Sequence, residues 1–193
     1  MEAKDFVDEL VARARKAQEE YEKFSQEQAD AIVRACAKAV YDNAEYLARL
    51  AVDETRMGVY EHKIQKNKGK AKVIWNSLKG KKSVGILSRN EETGITEIAR
   101  PVGVVGAVTP CTNPVVTPMC NAMFALKGLN AIIIGPHPRS KNTSYETVRL
   151  MNEAIAKLGA PKNLIQIIEE PTVELSSALM HAVDVVVATG GMP

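Results

Sequence analysis

Pro101-Val-Gly-Val-Val-Gly-Ala-Val-Thr-Pro-Cys-Thr-Asn-Pro114 and, after a helical interval, Asn130-Ala-Ile-Ile-Ile-Gly-Pro-His-Pro-Arg-Ser140 decide the fold. Each is an apolar run that ends in a turn carrying two prolines. The runs are nearly free of polar residues, which is the pattern of strands covered on both faces rather than of a half-exposed sheet. Strand, crossover helix and strand together make a parallel unit whose polar turn residues gather at the carboxyl ends of the strands. Open α/β sheets bind their ligands there.

Downstream the alternation continues. The spacing predicts strands at Val102–Val108, Ala131–Ile134, Leu164–Ile168 and Val183–Val187, about four in all. Between them it predicts helices at Val115–Leu126, Thr143–Leu158 (closed by Gly159) and Val173–Met180. Upstream, Val84–Leu87 and Ile95–Ala99 flank the polar loop Ser88-Arg-Asn-Glu-Glu-Thr-Gly94, a β-hairpin pattern. Further upstream, from Lys4 to about Ile74, apolar residues recur at helical spacing. Ser25 and Gln28 match a capping box, Gly58 is placed to end a long second helix, and a lysine-rich third helix runs from Glu61 to Leu78. The charges from Lys63 to Lys82 read as a solvated helix face and loop rather than an anion site.

Composition narrows the function classes. With 193 residues, 46% apolar and 25% charged, the chain has room for one well-cored domain, or for one domain and part of another. Lys and Arg number 25 against 23 Asp and Glu, and a net charge of +2 is too small a surplus to suggest nucleic-acid or membrane partners. The charged amphipathic start at Met1 has no signal-peptide core, and no run approaches the ~18 apolar residues of a membrane span, so a cytoplasmic location is expected. Cys36, Cys111 and Cys120 form neither a disulfide framework nor a CxxC metal pattern, so free thiols and no metal are expected.

Three turns carry the candidate chemistry. In Thr109-Pro-Cys-Thr-Asn-Pro114, Pro114 suits the first turn of a helix and Asn113 its N-cap. That places helix-terminal N–H groups with the Thr112 and Asn113 side chains, donors suited to the oxyanion of an attacked carbonyl; alternatively Asn113 only caps its helix. Cys111 invites a nucleophile reading, against which no His or carboxylate lies nearby in sequence to act as base. Cys120 falls inside a helix and Cys36 on an apolar stripe. In Gly135-Pro-His-Pro-Arg-Ser140, His137 and Arg139 suit a ribose or phosphate, Pro138 stiffens the turn, and Ser140 is placed to cap the next helix, with Lys141 adding charge; the alternative is a plain β-α loop. Thr189-Gly190-Gly191 follows the last strand, and its glycines would let the backbone approach a diphosphate closely. No GxGxxG or Walker sequence is present, His181 sits at a helix end and His62 on the surface.

These segments resemble the amino-terminal part of the CoA-acylating aldehyde dehydrogenases. The similarity runs in order through Lys16-Ala-Gln-Glu-Glu-Tyr, Pro101-Val-Gly-Val-Val, Asn113-Pro, Asn130-Ala-Ile-Ile, Pro136-His-Pro-Arg, Gly159-Ala-Pro, Val173-Glu-Leu-Ser, Ala178-Leu-Met-His and Ala188-Thr-Gly-Gly. Within the branch it is nearest to the CoA-acylating succinate-semialdehyde dehydrogenases and the aldehyde dehydrogenase half of aldehyde-alcohol dehydrogenases. The resemblance implies an α/β fold with an N-terminal helical layer and a β-hairpin, then a Rossmann-like parallel sheet with crossover helices. It divides the chain into N-terminal helices of the cofactor domain (1–83), an oligomerisation-type hairpin (84–100) and an incomplete cofactor-binding segment (101–193).

It also implies the chemistry: an aldehyde, here succinate semialdehyde, is oxidised through a cysteine thiohemiacetal with NAD or NADP, and the acyl group passes to coenzyme A. By position, Thr109, Pro110 and Cys111 would lie beside the nicotinamide, with Thr112 and Asn113 on the carbonyl side. In the hydrolytic relatives the oxyanion Asn stands where this chain has Thr112, which leaves open whether Thr112 or Asn113 faces the substrate. His137, Pro138, Arg139 and Ser140 would face the adenosine ribose, and Thr189, Gly190 and Gly191 would begin the diphosphate turn. Many NAD-specific relatives carry Glu where this chain has Ser140, so Ser140 with Arg139 and Lys141 favours NADP. The family's nucleophilic cysteine lies beyond residue 193, in a catalytic thiol domain absent from this sequence, so the chain alone is expected to be inactive. The complete protein is expected to be a homo-oligomer acting on a small aldehyde or acyl-CoA. Two rival readings are a catalytically dead binding or assembly module and a small enzyme using Cys111. Open sheet edges and exposed apolar faces further predict self-association of the chain.

Overall fold

The computed structural model describes residues 2–190. Four helices come first: α1 (Ala3–Tyr21), α2 (Gln26–Asp42), α3 (Ala44–Thr55) and α4 (Tyr60–Leu78). Each forms because apolar side chains recur on one face. On α1 that face is Val7, Leu10, Val11, Ala14, Ala17 and Tyr21, and on α2 it is Ala29, Ile32, Val33, Cys36 and Val40. The Ser25–Gln28 capping box is present, with Ser25 Oγ accepting from the Gln28 N–H and Gln28 Oε1 accepting from the Ser25 N–H. The long second helix of the sequence reading is two helices broken at Asn43. The second ends at Arg56, whose φ of 57° is left-handed, before Gly58 is reached.

Strands β1 (Gly85–Asn90) and β2 (Ile95–Ala99) form an antiparallel ribbon that bulges between Ile86 and Ser88 and leaves Ile86, Leu87, Ile95 and Ile98 exposed. The main sheet follows. Strands β3 (Val104–Val108), β4 (Ala131–Gly135), β5 (Ile165–Ile167) and β6 (Val185–Ala188) are linked by α5 (Val116–Lys127), α6 (Lys141–Ala156) and α7 (Val173–Ala182), with a short 3-10 turn (Pro138–Ser140) after β4. The strands lie in the order β5-β4-β3-β6, all parallel. The chain therefore steps outward from β3 through β4 to β5 and then crosses to the other side of β3. That reversal falls between β3 and β6, and the carboxyl ends of strands flanking such a reversal are the usual ligand position in sheets of this kind.

Strand β4 is buried throughout and β3 nearly so, as their unbroken apolar runs predict. Strand β6 departs from that expectation: Val185 and Val186 are exposed, because β6 is an edge strand that no further element of the described residues covers. Helices α1 and α7 pack together, while α2 lies over α5 and α6. Gly106 lets α7 and the residue after it approach β3, since a Cβ there would fall 2.8 Å from Val183 Cγ2 and 3.2 Å from Leu179 Cγ.

A polar lock fixes the amino ends of β3 and β6. Asp184 Oδ2 accepts from the Val104 N–H at 2.8 Å, and the two Asp184 oxygens accept from Arg15 Nη2 at 3.0 and 3.1 Å. Burial opposes the charged carboxylate, but the Val104 N–H and the Arg15 guanidinium outweigh it and hold the Asp184 carboxyl below its ordinary range. A group depressed in the folded state contributes fully above its unfolded pKa of about 3.9, and the contribution is lost as pH falls through the lower folded value. The stability advantage of the wild type over Asp184→Asn therefore narrows below about pH 4. Urea unfolding of both proteins across the acid range checks this, and a gap that stays constant down to full protonation contradicts it.

Candidate active site

Backbone hydrogen bonds knit three turns together at the carboxyl edge of the sheet. The Thr109 N–H donates to Gly135 O and the Thr189 N–H to Val108 O, both at 3.0 Å. Thr109 is only 2% exposed, yet its Oγ1 is buried without a hydrogen-bond partner. Such a group costs about 1–3 kcal/mol unless something satisfies it.

The turn after β3 differs in detail from the sequence expectation. Helix α5 starts at Val116 with Val115 at its cap position, so the Asn113 side chain does not cap it; the Asn113 carbonyl instead accepts from the Thr117 N–H at 3.2 Å. This leaves the Asn113 amide free for other partners. Pro114 is buried, and its carbonyl accepts from Ser144 Oγ at 3.2 Å, tying the turn to α6. Thr112 is exposed, Pro110 and Cys111 are half-buried, and Cys111 Sγ lies 3.9 Å from Met57 Sδ, a thioether that cannot act as base. Burial pushes the Cys36 thiol up to about 12 and the Cys120 thiol up to about 11, so both stay protonated at neutral pH.

Two residues absent from the sequence reading of this site reach the turn from α4. Lys63 Nζ donates to the Thr112 carbonyl at 3.3 Å, and Lys66 Nζ donates to Asn113 Oδ1. The lysine-rich face was read as solvated, which holds at Lys66, an exposed residue, while Lys63 is half-buried and departs from that reading. Its ammonium is lowered from its ordinary pKa by burial first and by repulsion from Lys66 second. Lysines three apart lie on one helix face, but nothing in the sequence shows which turn that face meets.

After β4, Pro136 is buried and His137 Nδ1 accepts from the Arg139 N–H at 3.1 Å. The His137 ring proton therefore sits on Nε2, which is left to donate. Pro138 and Arg139 are exposed. Ser140 is fully buried, its hydroxyl donates to His137 O at 3.3 Å, and it makes no side-chain cap. The cap comes from Glu54 on α3, whose carboxylate accepts from the Asn142 N–H at 2.9 Å and the Thr143 N–H at 2.8 Å. Lys141 is paired with Glu170. Of the three groups the sequence offered to a 2'-phosphate, Arg139 alone is exposed and outside any ion pair among the described residues.

Thr189 and Gly190 stand exposed beside Thr109, and a Cβ at Gly190 would meet nothing within 4 Å among the described residues; Gly191 lies outside them. A groove of about 290 Å³ between α2 and α4, lined by Tyr41, Lys72 and Trp75 among others, includes no residue of these turns. No helix among the described residues is long and apolar enough to cross a membrane.

A profile of the aldehyde dehydrogenase family matches residues 1–193. Over 185 residues the chain is 54% identical to a succinate-semialdehyde dehydrogenase (acetylating) of Clostridium kluyveri, covering 96% of this chain and 41% of that protein. It is 44% identical over 184 residues to a bifunctional aldehyde-alcohol dehydrogenase of Escherichia coli K12, covering 94% of this chain and 21% of that protein. Among solved structures, an acetylating aldehyde dehydrogenase from Geobacillus thermoglucosidasius matches with a TM-score of 0.92 at 39% identity, covering 96% of this chain and 41% of that one. The chain thus spans 41% of the length of the first of these relatives and 21% of the second.

Proposed function

The chain belongs to the aldehyde dehydrogenase family, and from that premise we propose that it forms the nicotinamide-dinucleotide-binding part of an oxidoreductase that interconverts an aldehyde and its acyl-CoA. The observation that carries the reading is that the turns after β3, β4 and β6 leave the same carboxyl edge of one parallel sheet, tied at Thr109 and Thr189, in a chain similar to CoA-acylating dehydrogenases.

The residues present fit such a dinucleotide. An orphaned buried hydroxyl on Thr109 lies at the end of β3 and an unobstructed Gly190 backbone just past the end of β6, and the His137 Nε2–H and Arg139 follow β4, where they would meet a ribose and its phosphate. A bound nicotinamide dinucleotide would supply the hydride acceptor. This chain's own groups hold the dinucleotide along the sheet edge, present donors to the reacting carbonyl from Thr112 and Asn113, and shape a site that receives a thiol nucleophile from elsewhere in the protein. Cys36 and Cys120, protonated by burial, do not supply that nucleophile.

Succinate semialdehyde is the favoured aldehyde, because the 54% identical relative is a succinate-semialdehyde dehydrogenase (acetylating). The parent enzyme is a cytoplasmic homo-oligomer in this reading, with residues 1–83 and 101–193 building the cofactor unit. The exposed apolar ribbon at 84–100 is its subunit contact.

The test is reduction of NAD or NADP by the complete protein with succinate semialdehyde, with and without coenzyme A. Reduction that depends on coenzyme A supports the proposal; equal turnover without it, or none at all, refutes it. Because Arg139 is the remaining exposed cation at the ribose turn, Arg139→Ala should weaken NADP binding about 10-fold while changing NAD binding less than about 2-fold. Titration calorimetry of both nucleotides reads that difference, and an equal loss for both removes Arg139 from phosphate recognition.

A further inference from the structure

We infer that Lys63, Lys66 and Lys70 form a stripe on α4 that receives the anionic end of the substrate, with Lys70 as its outer contact, so that the site selects an aldehyde bearing a distal carboxylate over an uncharged one. The inference rests on the aldehyde dehydrogenase reading and deepens it, because it assigns the choice of aldehyde to residues of this chain.

Spacing puts the three lysines on one face. Positions 63, 66 and 70 fall within about 60° of one another around the helix and span about 10 Å along it. Like charges three and four residues apart weaken a helix unless opposite charge offsets them. Here nothing does: none of the three is in an ion pair among the described residues, whereas Lys68, on another face, is paired with Glu45 and Lys72 lies over the Tyr41 ring. The acceptors the stripe does have are neutral, the Thr112 carbonyl for Lys63 at 3.3 Å and Asn113 Oδ1 for Lys66. The repulsion is felt at Lys63, whose half-buried ammonium is held below its ordinary value by burial and then by Lys66. An anion at the stripe relieves it, while a purely structural helix face gains nothing from three unpaired cations.

The stripe runs from the turn after β3 along α5. Its first two members meet residues 112 and 113, where the proposed function puts the aldehyde carbonyl. Lys70 lies about 6 Å further along α4 than Lys66, and α4 packs on α5. Its ammonium favours the Cys120 thiolate on that helix, against the larger opposing effect of burial. Unlike the other two, Lys70 is exposed and makes no hydrogen bond among the described residues. The residue after Cys120, Asn121, has its Nδ2 buried without a partner, a second unmet donor on α5. In an extended succinate semialdehyde the aldehyde carbon and the carboxylate oxygens are about 5 Å apart. With the carbonyl at the turn, a chain running along α4 therefore carries its carboxylate to the level of Lys70. An uncharged aldehyde of the same length leaves that ammonium in water and draws no affinity from it.

The test compares succinate semialdehyde with butanal, its uncharged four-carbon counterpart, in the complete protein with coenzyme A and nucleotide present. The wild type is expected to favour succinate semialdehyde in kcat/KM by about 100-fold or more. Lys70→Met, which keeps most of the stem and removes the charge, should shrink that preference about 10-fold or more, chiefly through the KM for succinate semialdehyde, and Lys70→Arg should restore most of it. Because Lys70 is exposed and unpaired, the melting temperature should not move. An equal loss on both aldehydes, or a loss that appears in the KM for coenzyme A or the nucleotide instead, overturns the inference. A wild type that turns over butanal as readily as succinate semialdehyde also overturns it while leaving the dehydrogenase reading in place. One that oxidises neither aldehyde fails that reading, and the inference falls with it.

Discussion

Gly103→Ala is expected to destabilise the chain by about 2–4 kcal/mol, roughly half from backbone strain and half from displaced charge. Gly103 has φ +119°, a conformation that L side chains rarely adopt, and a Cβ there would lie 2.3 Å from Asp184 Oδ2 and 3.4 Å from Arg15 Nη1. No rotation of the alanine relieves that contact, so Asp184 must leave the Val104 N–H and Arg15. With it goes the anchor that brings β6 alongside β3. Arg15 and Asp184 are partly exposed, so solvent screening keeps the electrostatic share to about 1–2 kcal/mol. Urea unfolding of the single variant and of Gly103→Ala on an Asp184→Ala background separates the shares. With the carboxylate removed, the cost should fall to the backbone part alone, and an unchanged cost would show that the Asp184 clash plays no role.

Gly190→Val carries the larger functional effect. The position is exposed, its φ is one an L residue adopts, and no described atom lies within 4 Å of the added Cβ, so the fold has no reason to respond. If the dinucleotide's diphosphate passes against this backbone, however, a branched side chain fills the space it needs. Affinity for NAD and NADP should fall about 100-fold, equivalent to about 2.7 kcal/mol, with the melting temperature essentially unmoved. Calorimetric binding paired with a thermal melt checks both halves. Unchanged affinity would remove the β6 turn from the cofactor path.

The sheet was legible in the sequence because its strands are buried runs that helical periodicity does not mimic, and Val104–Val108 and Ala131–Gly135 fall within a residue or two of where Val and Ile place them. The break at Asn43 was hidden because apolar spacing continues across it from Val40 to Leu47, so periodicity alone sees one helix. The cap of α6 could not be read at all. Ser140 stands in the right place with the right chemistry, but burial takes its hydroxyl to His137 O, and Glu54 arrives from 89 residues away in sequence to bind the Thr143 N–H. The same limitation hid the contacts of Lys63 and Lys66, because nothing in the sequence shows which turn a lysine-rich helix face meets. Strand β6 illustrates the reverse, an apolar run correctly placed as a strand whose exposure depends on neighbours rather than on its own residues. Local chemistry thus located the three turns, while the contacts that arrange their side chains are long-range.

The most direct measurement is a nuclear magnetic resonance titration of the 15N-labelled chain with NAD and with NADP. The account predicts saturable shifts confined to Thr109–Asn113, His137–Arg139 and Thr189–Gly190, with the ribbon loop around Gly94 silent. Saturable shifts centred elsewhere, such as the Tyr41–Trp75 groove, or no saturable shift with either nucleotide, would contradict the claim that these three turns form a dinucleotide site.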